Sequence, residues 1–115
     1  MMDNKKEIEE LLVKFQFENQ QLETIILQKQ KLSLEKTEIE EALKQIESKK
    51  EAYKIVGPLI VKKSSSELKK ELGKKKEELD VRIKSLEKNE KTFKEMIKKD
   101  KEKLEKLVPS LKLGD

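Results

Sequence analysis

The sequence predicts a mainly α protein: two long helices forming an antiparallel coiled coil, joined by a central β-hairpin. Three observations carry this. Charged residues make up 45% of the 115, apolar ones 34% and aromatics 3%, which suits a solvated long helix and is too lean for a globular core. Apolar residues follow heptads on both sides of the middle. One block in the middle, 53–63, breaks that pattern with β-branched residues around Gly57 and Pro58.

The first helix is expected over 4–51, with Asn4 and Glu7 as a capping pair. One seam row is Ile8, Phe15, Leu22, Lys29, Lys36 and Leu43; the other is Leu11, Glu18, Ile25, Leu32, Ile39 and Ile46. No glycine or proline interrupts it. At 1.5 Å per residue the helix spans roughly 70 Å.

The hairpin is expected over 53–63. Taking Gly57-Pro58 as a two-residue loop, Val56 faces Leu59, Ile55 faces Ile60, Lys54 faces Val61 and Tyr53 faces Lys62. Gly57 supplies the positive φ of a type II′ turn. Side chains alternate, so Val56, Leu59 and Val61 share one face, and Tyr53, Ile55 and Ile60 the other. Both faces are apolar. A lone hairpin is marginal in water, and open edges offer backbone groups for pairing with other strands.

The second helix is expected over 65–108. Ser64 with Glu67 forms an S-x-x-E capping box. Its seam rows are Leu72, Leu79, Leu86, Phe93, Asp100, Leu107 and Lys69, Lys76, Ile83, Glu90, Ile97, Leu104. Gly73 weakens the early turns, and Pro109 ends the helix before a flexible tail over 109–115. Pairing residues whose numbers sum to 115 sets each polar seam residue against an apolar one: Glu18 with Ile97, Lys29 with Leu86, Lys36 with Leu79. The whole chain is then one unit, 1–115, with the hairpin at one end and both termini at the other.

The seam leaves some apolar residues over. Leu12, Val13 and Phe17 lie off it near the N-terminus, and Phe15 faces Asp100. Met96, Val108, Leu111 and Leu113 are surplus near the other terminus. They gather away from the hairpin, as an interaction surface would. Leu34 reads as an ordinary exposed leucine.

Chemistry is excluded more sharply. The chain has no cysteine and no histidine, which removes thiolate sites, the commonest general base and the commonest metal ligand. No phosphate-binding glycine loop is present, and the Ser64, Ser65, Ser66 run reads as a linker and cap. No enzyme activity, cofactor or metal is expected. Lysine runs such as Lys74, Lys75 and Lys76 are broken by acids and lack interleaved aromatics, so they read as a solvated face rather than a nucleic-acid footprint. No apolar run reaches transmembrane length and the start is unlike a signal peptide. The expected compartment is the cytoplasm, with no membrane partner.

The block Tyr-Lys-Ile-Val-Gly-Pro-Leu-Ile-Val-Lys-Lys over 53–63 resembles the hairpin of prefoldin beta-class subunits. Phe15-Gln16, Gln20-Gln21-Leu22, and the run from Leu79 to Glu87 resemble the family's two helices. The Ser64, Ser65, Ser66 triplet and Gly73 depart from its pattern. The resemblance implies an ATP-independent chaperone built from two alpha-class and four beta-class subunits, whose hairpins join into an intersubunit β-barrel. Its coiled-coil tips hold unfolded client proteins and deliver them to a group II chaperonin. A single hairpin marks the beta class. By that resemblance Tyr53, Ile55, Val56, Gly57, Pro58, Leu59, Ile60 and Val61 carry assembly. Leu12, Val13, Phe15, Phe17, Met96, Ile97, Leu104 and Leu107 are the client-contact candidates. The competing readings are a structural or tethering coiled coil that oligomerises through its hairpin, and a helical nucleic-acid binder.

Overall fold

A computed structural model of the chain describes residues 2–47 and 51–111, with side chains described from Asn4 onward. The order is α1 (Met2–Ile46), β1 (Glu51–Val56), β2 (Leu59–Ser64) and α2 (Ser65–Leu107). Residues 48–50, expected as the end of the first helix, and 112–115, expected as tail and including Leu113, lie outside the described residues.

α1 starts two residues earlier than expected, so Asn4 sits inside the helix instead of capping it. Each added residue contributes one backbone hydrogen bond, and no proline or glycine opposes the extension. α2 begins where its capping serine predicts: the Glu67 amide donates to Ser64 Oγ at 3.2 Å. It ends at Leu107, two residues before Pro109, because proline disfavours helical backbone in the residue before it. The Val108 amide still closes one turn onto the Leu104 carbonyl at 2.9 Å.

The chain falls into two units, Met1–Gln28 with Leu86–Asp115, and Lys29–Ser85. In the second unit the helices run antiparallel. Lys36 Nζ meets Asp80 Oδ1 at 2.6 Å, Lys76 Nζ meets Glu40 Oε2 at 3.5 Å, and Lys69 Nζ donates to the Glu47 carbonyl at 3.1 Å. These pairs sum to 116, against the 115 expected from the seam. Leu32, Ile39, Leu68 and Leu79 form the buried stripe of this unit. Leu68 takes the place expected of Lys69, which is exposed. A straight helix drifts against a strict heptad, and the lysine is better used on a carbonyl at the end of α1, where a cation is favoured.

The first unit buries Ile25 and Leu104, together with two acids, Glu18 and Asp100. Glu18 was expected opposite Ile97, with no polar seam residue meeting another. Instead Glu18 and Asp100 adjoin across the helices. Seam side chains lean toward the N-terminus of their own helix, so a residue reaches the neighbouring layer as well as the one opposite.

Candidate functional site

The hairpin is built from its turn outward. Gly57 has φ 58°, and the ring of Pro58 fixes a negative φ, the sign pattern of a type II′ turn. That turn sets the register: Val56↔Leu59, Ile55↔Ile60, Lys54↔Val61 and Tyr53↔Lys62 all pair as the sequence predicts. The ladder runs further than 53–63, adding Ala52↔Lys63 and Glu51↔Ser64. Glu51, placed by sequence in the first helix, belongs to β1.

The two faces differ in what they touch. Ala52, Lys54 and Lys63 share the face that is half-buried at its base. There Lys54 Nζ donates to Glu71 Oε1, and Lys63 Nζ donates to Glu71 Oε2 at 3.0 Å. Those two hydrogen bonds hold the Glu71 carboxyl below the usual carboxylate range. Glu71 thus ties both strands to α2. The opposite face carries Tyr53, Ile55 and Ile60, with Ile55 75% and Ile60 71% exposed. Val56, Leu59 and Val61 are exposed as well. Among the described residues the sheet has only these two strands, so each keeps an unpaired edge. Six exposed apolar side chains on an open-edged hairpin form a surface suited to strand pairing and burial by other chains.

Glu71 is a residue the sequence reading missed. The signal was present: Lys54 and Lys63 fall on one strand face by alternation, and the next helix presents an acid within its first two turns.

The client-contact candidates separate by burial. Val13 and Phe17, four residues apart on α1, are exposed, Phe17 by 55%. Leu12, Phe15, Met96, Ile97 and Leu107 are half-buried. Leu104 is 0% exposed, so the structure withdraws it from any open surface. It is a seam leucine, and filling the interface is how such a residue stabilises the coil.

Between these residues lies the buried acid pair. Glu18 is 1% and Asp100 3% exposed. Lys14 Nζ lies 3.5 Å from Asp100 Oδ1 and gives that acid a counter-ion. Both oxygens of Glu18, and Oδ2 of Asp100, are buried and meet no donor. Burial, then hydrogen bonding to Asp100, then its negative charge push the Glu18 carboxyl up to about 7, against a smaller pull downward from Lys14. A hydrogen bond between two carboxyls exists only when a proton lies between them.

Among the described residues no group of three or more acids could hold a metal ion, and no helix is long and apolar enough to cross a membrane.

The chain matches the family model described as prefoldin subunit over residues 9–110. It is 39% identical over 102 residues to prefoldin subunit beta of Thermococcus onnurineus, covering 86% of this chain and 88% of that one. It is 40% identical over 95 residues to prefoldin subunit beta of Thermococcus kodakarensis, covering 80% and 81%. The crystal structure of the prefoldin beta subunit from Thermococcus strain KS-1 superposes with a TM-score of 0.81 at 35% identity, covering 91% of this chain and 95% of that chain.

Proposed function

The chain belongs to the prefoldin subunit family, its similarities falling on beta subunits, and we propose that it acts as an ATP-independent chaperone subunit. Its hairpin joins alpha-class partners in a complex of two alpha and four beta chains, closing a shared β-barrel. Val13 and Phe17, with half-buried Leu12, Phe15, Met96, Ile97 and Leu107 beside them, take apolar segments of unfolded clients. The complex passes those clients to a group II chaperonin in the cytoplasm.

The observation that carries this reading is the hairpin. It exposes apolar side chains on both faces while a lysine–glutamate clamp anchors its base. Such a surface is stable only when other strands cover it. Client holding then needs no catalysis. Each subunit offers a weak apolar contact, and linking several raises the effective concentration of the rest. The dense mixed charge elsewhere keeps the coiled coils of different subunits soluble and apart.

The test is Val13→Ser with Phe17→Ser in the assembled complex. Both side chains are exposed, so assembly and helix content are expected to stay unchanged. Suppression of aggregation of a denatured test protein falls several-fold. Undiminished suppression would remove these residues from client contact.

A further inference from the structure

We propose that Glu18 and Asp100 form a proton-sensitive latch across the helix pair in the unit that carries both chain termini. With a proton between them, the two acids hydrogen-bond and the seam closes. Without it, two buried negative charges adjoin and the seam loosens.

The geometry argues this before any titration. Both carboxylate oxygens of Glu18 on α1 and Oδ2 of Asp100 on α2 are buried without a hydrogen-bond partner. The two side chains adjoin, and Lys14 Nζ lies 3.5 Å from the remaining oxygen, Asp100 Oδ1. An unpaired carboxylate in such a place is strongly disfavoured, because burial strips its charge of water without a donor in return. A proton on Glu18 removes one charge and supplies the missing donor. The charges acting on Glu18 are Asp100 from α2 and Lys14 from its own helix, one turn back. Glu7, Glu10, Leu11 and Lys103 line the same surface groove as Lys14. Lys101, next to Asp100, is half-buried and makes a polar interaction of its own.

The direction of the effect follows from linkage. The Glu18 carboxyl is raised in the folded chain from 4.5 to about 7. A raised group contributes stability that is complete below its unfolded value and is lost as pH rises through the folded one. The loss therefore builds from about pH 4.5 to about 7 and levels off above. A buried polar pair that merely fixes helix alignment has no such window.

Phe15, Leu22, Ile97 and Leu104 are the seam neighbours that loosening would uncover. If this unit holds clients, which rests on the function proposed above, its apolar seam becomes available to them near and above neutral pH.

Hydrogen exchange of the full chain tests the latch. Protection factors, which divide out the intrinsic pH dependence of exchange, are compared at pH 5 and pH 8 for peptides covering 11–25 and 93–107. The wild-type chain is expected to lose protection there by tenfold or more at pH 8, with a ceiling of roughly two orders of magnitude. Glu18→Gln, which keeps shape and supplies a permanent donor, should hold its protection at both pH values. Asp100→Asn should flatten the difference too, since it removes the second charge. A wild-type loss no larger than that of Glu18→Gln overturns the latch. Aggregation suppression in the same buffers separates the two ideas: if exchange responds to pH and client holding does not, the latch stands and the client role of this unit falls.

Discussion

Single residues decide the unusual features of this chain, and most stand where a local rule is broken. Glu71 gives one carboxylate to two lysines from different strands. Its carboxyl is lowered, so the clamp is complete above about pH 4.5 and is lost as pH falls below that. Glu18 titrates the other way, within the other unit. Gly73 is a helical glycine whose missing Cβ would meet nothing within 4 Å. Alanine there fits without strain and costs less backbone entropy. Gly73→Ala is expected to raise stability by about 1 kcal/mol, read as an increase in the midpoint of thermal unfolding. An unchanged or lower midpoint would mean that this turn of α2 is under some other constraint. The seam positions were legible in the sequence because heptad spacing fixes which side chains turn inward. The buried acid pair was not. Heptads give the layer of a residue but not the lean of its side chain, so Glu18 was assigned to Ile97 and Asp100 to Phe15.

At the scale of elements, the hairpin was the most legible part. A glycine before a proline, between the β-branched pairs Ile55-Val56 and Ile60-Val61, leaves one two-residue turn, and that turn fixes every pair in the ladder. The outer ends were less legible. Glu51 has no strand preference, yet it extends β1, paired with Ser64 and with Lys62 Nζ 3.2 Å from its Oε2 across the ladder. The first turns of α2 were misread for a related reason. Leu68 and Lys69 are neighbours, and the stripe's drift from a strict heptad chose leucine for the seam. Gly57 is the position on which the hairpin depends, since its positive φ costs a residue with a side chain about 1–2 kcal/mol. Gly57→Val should leave both helices formed, as read by circular dichroism, while weakening co-assembly with an alpha-class partner at least tenfold. Unimpaired assembly would separate the turn from oligomerisation.

At the scale of the whole molecule, family membership fixes the fold and leaves the work to be shown. Among the described residues two sets of exposed apolar side chains stand out, beside Leu27, Leu34 and Val81, which are exposed along the two helices. One covers the hairpin and is matched to assembly. The other is Val13 and Phe17, exposed on α1 and proposed above for client contact. A tethering coiled coil would share the first set and the seam, so composition alone does not separate it from a chaperone subunit. What separates them is the partner the hairpin accepts. Native mass spectrometry of this chain mixed with an alpha-class prefoldin subunit is the most direct measurement. The account predicts one dominant six-chain species with four copies of this chain and two of the partner. A mixture that stays as separate chains, or that yields only dimers of this chain, would contradict it.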